Sequence, residues 1–126
     1  MTASRILLAE DEEALRAFVA RALTMDGHEV VATADGGEAL DTLSREHGKF
    51  DLLLTDIRMP VMDGIALALA AARDYPELTI LLMTGYADQR ERASGLDALI
   101  HDVIAKPFSL GEIRQTVTEA LVARAR

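Results

Sequence analysis

The stretch DLLLTDIRMP, residues 51–60, runs Leu52, Leu53, Leu54 and Thr55 straight into Asp56, with Arg58 and Met59-Pro60 just beyond. A short apolar run bounded by polar residues suits a strand buried on both faces, and DLLLT (51–55) is such a run. Asp56 then sits at the carboxyl end of that strand, at the mouth of a core. A carboxylate there costs free energy unless it is paired or used.

Moving outward, four further runs have the same character: RILLA (5–9), HEVVATA (28–34), TILLM (79–83) and DVIA (102–105). Between them the spacing changes. Leu15, Phe18, Val19, Ala22 and Leu23 fall at i, i+3, i+4, i+7 and i+8, which predicts a helix ending at Asp26-Gly27. A second helix is expected from about Gly37 to His47. A third is expected over GIALALAAARDY, ended near Pro76 because proline cannot continue it. The segment 88–99 predicts a weaker helix, with Gly95 in its interior. Ile113, Val117, Ala120 and Leu121 mark the last, from about Leu110 to Ala123. Strict βα alternation implies a doubly wound α/β fold: a parallel five-stranded sheet with helices on both faces, in the flavodoxin-like order 2-1-3-4-5.

Composition narrows the function classes. The 126 residues suit one domain with one substantial core, taken as 1–126 with no output domain. Half the residues are hydrophobic but only 4% aromatic, so aliphatic side chains must build that core. A formal net charge of -8 argues against nucleic acid or an anionic membrane surface as partner, since both select a basic face. The absence of cysteine removes disulfide and thiol chemistry and suits a cytoplasmic setting. No apolar run approaches a membrane span or a signal-peptide core.

In such a sheet, ligands bind at the carboxyl ends of the strands. Strand one ends in Glu10-Asp11, strand three in Asp56, strand four in Thr84 and strand five in Lys106-Pro107. With strands one and three adjacent, three carboxylates crowd together, flanked by a hydroxyl and an ammonium. Hard oxygen ligands at close range select Mg²⁺, which keeps several waters and favours phosphate oxygens in its remaining positions. Lys106 and Thr84 suit the other phosphoryl oxygens. The set fits Asp56 as a nucleophile that accepts a phosphoryl group, where positioning and charge neutralisation supply most of the catalysis.

ILLAEDEE, DLLLTDIRMPVMDG, LLMTGYAD and AKPF together resemble the signature segments of the response-regulator receiver domain of two-component signalling, across essentially the whole chain. The resemblance implies that Asp56 is the phosphoacceptor, that Glu10, Asp11, Asp56 and the backbone carbonyl of Arg58 hold Mg²⁺, and that Thr84 and Lys106 are the switch hydroxyl and the phosphate-contacting lysine. It also implies a cis bond before Pro107, and a glycine, here Gly64, closing the loop after the phosphosite. It implies no enzymatic activity beyond self-phosphorylation and self-dephosphorylation.

Other polar residues have plainer explanations. Asp63 suits a helix cap, and Glu12 and Glu13 suit a helix start. His28, His47 and His101 lack ligand spacing and belong to the surface or strands. Two residues suggest modulation: Arg58 and Tyr86 flank the path of a hydrolytic water and are expected to shield the phosphoryl group. An unchanged dephosphorylation rate in alanine variants would remove that idea. A third departs from the common receiver pattern. Position 103, often aromatic, is Val103, whose single favoured rotamer offers no ring to swing. The switch is therefore expected to run through Thr84 and the 88–99 segment. Equal amide-exchange protection of 85–103 with and without a phosphoryl mimic would count against it.

Partners follow from the resemblance. A histidine kinase or histidine phosphotransferase supplies the phosphoryl group, and output passes by protein contact, with homodimerisation through the 88–99 helix face open. LLAED, LLLTDI and PFSL are similar to the CpdR group of single-domain regulators. That similarity implies a phosphorylation-controlled adaptor for the ClpXP protease, active when unphosphorylated, with ClpX as partner. A phosphorelay intermediate or a hybrid-kinase receiver remains open, as does a pseudo-receiver binding module that takes no phosphate. A haloacid-dehalogenase-type phosphatase wants a second acid where Arg58 stands.

Overall fold

The computed structural model describes residues 4–85 and 93–124. Five strands form one parallel sheet: β1 (Arg5–Ala9), β2 (Glu29–Thr33), β3 (Leu52–Asp56), β4 (Thr79–Thr84) and β5 (Asp102–Ala105), in the order β2-β1-β3-β4-β5. Four α-helices are among the described residues: α1 (Glu13–Met25), α2 (Gly36–Arg45) and α3 (Gly64–Asp74) between strands, and α4 (Leu110–Arg124) after β5. The expected strand order agrees with this architecture, and four of the five expected helices are among the described residues. Among the described residues no helix is long and apolar enough to cross a membrane.

Side chains alternate across each strand, so one strand feeds two cores. Leu7, Ala9, Leu53, Ile80 and Leu82 point to one face, where Ala39 and Leu43 of α2 and Leu67, Ala68 and Ala71 of α3 cover them. Ile6, Leu8, Leu52, Leu54, Leu81 and Met83 point to the other, under Val19, Ala22 and Leu23 of α1 and Ile113, Val117 and Ala120 of α4. Every residue of β3 is buried. At roughly 1.5–3 kcal/mol for each fully buried Leu or Ile, this two-sided packing is what fixes the central strands.

Helix ends follow local chemistry. The Asp63 carboxylate accepts from the Ala66 N–H at 2.9 Å and caps α3, while Asp35 accepts from Glu38 N–H at 2.8 Å and caps α2. Beyond α1, Gly27 adopts φ +87°, the left-handed turn expected of Asp26-Gly27. Helix α2 starts one residue earlier than expected and stops at Arg45, because His47 and Gly48 leave the helix at φ +55° and +67°. Strands β3 and β4 each run one residue further than expected, taking Asp56 and Thr84 into the sheet. Residues 88–92 of the expected 88–99 helix lie outside the described residues. Its described part holds a short 3₁₀ helix, Ser94–Leu96.

Candidate functional site

The strand ends converge as the alternation requires. Asp56 is the last residue of β3, Glu10 follows β1, and Lys106 follows β5. Lys106 Nζ donates to Asp56 Oδ2 at 2.9 Å and to Glu10 Oε1 at 3.0 Å. The Glu10 and Asp56 side chains are only 1% and 8% exposed, against 20% for Lys106. The other oxygens are held too: Ile57 N–H donates to Asp56 Oδ1 at 2.8 Å and Glu12 N–H to Glu10 Oε2 at 3.0 Å. Asp11 is exposed, and one ligand oxygen from each of Glu10, Asp11 and Asp56 can be chosen within 4.8 Å of the others. Three such oxygens at the rim of a cleft fit a hard divalent cation, and their donor set fits Mg²⁺ rather than a soft metal.

Thr84 ends β4 and is buried, and its carbonyl accepts from the Lys106 N–H at 2.7 Å. Gly85, Arg58 and Phe108 line the same cleft as Asp56 and Lys106. The Lys106–Pro107 peptide bond is cis. Val103 is half-buried and packs against the α2–α3 core. Tyr86 lies outside the described residues, as do residues 88–92 of the expected dimer face. His47 and His101 are exposed; His28 Nδ1 accepts from the Ser4 N–H at 3.3 Å, so none gathers into a ligand cluster.

Arg16 escaped the sequence reading. Its Nη1 donates to the Glu10 carbonyl at 2.9 Å from the first turns of α1. The residue falls on a helix face between apolar positions, and no spacing rule points a side chain back toward the preceding turn.

Burial pushes the Glu10 carboxyl up to about 7; the Glu12 N–H acts the other way, Asp56 adds to the rise and Lys106 opposes it. Burial acts to lower the Lys106 ammonium, yet its hydrogen bonds to Asp56 and Glu10 outweigh that and raise it. Glu10 thus holds a proton in the folded state across a window, from its ordinary 4.5 to about 7, where the unfolded chain has released it. The folded state binds more protons there, so stability falls as pH rises through that window. With divalent cations chelated, melting is expected to weaken between about pH 5 and about pH 7.5, by at most roughly 3 kcal/mol. Glu10→Gln should flatten that dependence; a wild-type profile already level across the window would refute this assignment.

The sheet order, the strand-end acids and the paired lysine define a class, the α/β receiver domain. The chain belongs to the response regulator receiver domain family, whose sequence profile matches residues 6–118. Among its relatives, the response regulator receiver protein CpdR of Brucella abortus is 39% identical over 119 residues, covering 94% of this chain and 98% of that protein. Response regulator MprA of Mycobacterium avium is 36% identical over 109 residues, covering 86% of this chain but only 47% of that protein. A CheY-like receiver domain protein from Methanospirillum hungatei superposes with a TM-score of 0.88 at 29% identity, over 98% of both chains. The response regulator TrrA of Thermotoga maritima, crystallised in complex with Mg²⁺–BeF, superposes at 0.80 with 26% identity, over 93% of this chain and 98% of that one.

Proposed function

We propose that this receiver takes a phosphoryl group onto Asp56 from a phosphohistidine of a histidine kinase or histidine phosphotransferase, and signals by changing which protein it binds. The observation that carries this is the bridge from Lys106 to Asp56 and Glu10 beside the exposed Asp11. The Ile57 N–H holds one Asp56 oxygen and so orients the carboxylate. An Asp56 oxygen forms the new bond to phosphorus while the bond from phosphorus to the donor nitrogen breaks, its electron pair leaving with that nitrogen. Lys106 and the Thr84 hydroxyl are the groups for the transferred oxygens. Glu10, Asp11, Asp56 and the Arg58 carbonyl would hold Mg²⁺, which when bound supplies charge neutralisation. Arg58 lines the cleft, which supports the shielding role given to it; Tyr86 lies outside the described residues. Val103 offers no ring for an aromatic switch.

Intact mass after incubation with acetyl phosphate tests the chemistry. One added phosphoryl group is expected, dependent on Mg²⁺ and absent from Asp56→Asn. No adduct under any donor would make the protein a pseudo-receiver, a constitutive binding module.

Similarity to CpdR across nearly all of that protein's length supports a stand-alone receiver, here 1–126, acting as an adaptor for ClpXP while unphosphorylated. Capture of purified ClpX by the apo form, lost on adding beryllofluoride, is expected. No capture in either state would favour a phosphorelay intermediate or hybrid-kinase receiver whose output lies elsewhere.

A further inference from the structure

We infer that Arg16 is a positioning residue for the acidic turn after β1 and sets how tightly that turn holds a divalent cation; the inference rests on the Mg²⁺ reading proposed above. The β1–β2 ladder explains why a side chain is required there. Glu29 N–H donates to Ser4 carbonyl and Glu10 N–H to Thr33 carbonyl, which fixes the alternation of rungs between the two strands. The next rung in that series is Asp35 N–H to the Glu10 carbonyl. It does not form, because Asp35 has already turned away to cap α2 with its carboxylate on the Glu38 N–H. The Ala34 N–H, one residue earlier, is directed at the Glu38 carboxylate instead.

The Glu10 carbonyl is thus left at a broken ladder, beside a carboxylate that is itself 1% exposed. Arg16 Nη1 fills the missing rung at 2.9 Å. This bond fixes the plane of the peptide joining Glu10 to Asp11. Rotation of that plane would swing the exposed Asp11 carboxylate relative to Asp56 and disturb the Glu12 N–H on Glu10 Oε2. Arg16 is half-buried and reaches the turn at its carbonyl, whereas Lys106 occupies the space between the Glu10 and Asp56 carboxylates. A planar fork with several donors suits a fixed carbonyl better than a flexible ammonium. Arg16 touches neither the phosphoryl position nor any ligand oxygen, so it acts through the turn.

The test is calorimetric titration of Mg²⁺ alone into apo protein, without phosphodonor, for wild type, Arg16→Met and Arg16→Lys, beside melting in EDTA. Residues that orient ligands typically change affinity by about 10- to 100-fold. Arg16→Met is expected near the lower end of that range, at about 10-fold weaker, and Arg16→Lys at about 2- to 3-fold, both melting close to wild type in EDTA. Arg16→Met within twofold of wild type overturns the inference. So does an equal loss in both variants that tracks a shared drop in melting temperature, which would mark a packing role. Should Arg16→Met fail to fold, Arg16→Lys decides: unchanged affinity overturns the inference, and a loss at unchanged melting supports it. Wild type that takes up no Mg²⁺ refutes the metal reading itself and the inference with it, so the two failures are told apart.

Discussion

Lys106→Met is expected to destabilise the protein by about 3 kcal/mol at neutral to mildly alkaline pH, the lower part of the range for removing one partner of a buried pair. The reason is geometric. Lys106 Nζ bridges the Glu10 and Asp56 carboxylates, at 3.0 and 2.9 Å, and both acids are nearly inaccessible. Methionine keeps the apolar stem of the side chain but removes the ammonium that lies between the two acids. The Glu12 and Ile57 N–H groups can hold one oxygen of each acid, not neutralise both. Lys106 retains some solvent contact, which is why the full cost of an isolated buried charge is not expected. For a domain of this size the loss corresponds to a melting temperature lower by roughly 10 °C. Two further outcomes identify the cause. Adding Asp56→Asn should recover most of the loss by removing one of the two charges, and millimolar Mg²⁺ should stabilise Lys106→Met more than wild type. A variant that melts within about 1 kcal/mol of wild type in EDTA would show that the site carries little electrostatic stress.

This stress was legible in the sequence only because four strand ends could be assigned. Apolar runs such as LLLTD and TILLMT have no competing helical period, so the strands, their order and hence the meeting of Glu10, Asp56 and Lys106 follow from pattern and the rules of parallel sheets. Caps were legible for the same reason: Asp63 stands before an alanine-rich run and can do little else. What pattern cannot express is approach along a third direction. Val61 adopts φ +70°, costly for a β-branched side chain, and leans against Gly37 at the start of α2. Propensity alone would put Gly or Asn at such a turn position. Arg16 was hidden likewise, because its role depends on where β2 leaves the ladder rather than on its own helix. Ladder ends are set by competition between a rung and a cap, and single-residue preferences do not decide it.

Gly64→Ala is expected to cost at least about 2–3 kcal/mol and to depress labelling of Asp56 at the same time, an effect out of proportion to one methyl group. Gly64 opens α3 and donates its N–H to the Ile57 carbonyl at 2.7 Å, which closes the loop that follows Asp56. Its backbone needs no left-handed conformation, so the glycine is there for closeness. A Cβ would stand 1.9 Å from the Asp56 carbonyl oxygen, 2.8 Å from its carbon and 2.9 Å from Ile57 Cα. All three are backbone atoms of buried residues in or beside the central strand, and none can rotate aside as a side-chain tip would. Relief therefore requires α3 or the loop to move, and the loop carries the Ile57 N–H that holds Asp56 Oδ1 at 2.8 Å. Stability and phosphoacceptance should fall together because one displacement causes both. Gly111→Ala is the matched control. It adds the same methyl in the first turn of α4, where only Ser109 Oγ lies within reach at 3.9 Å, and a gain of about 0.5–1 kcal/mol is expected from helix propensity. Denaturant melts of both variants, with acetyl-phosphate labelling alongside, decide the matter. Gly64→Ala that melts and labels like wild type would mean the loop is soft enough to absorb the methyl, and that its closure does not position Asp56.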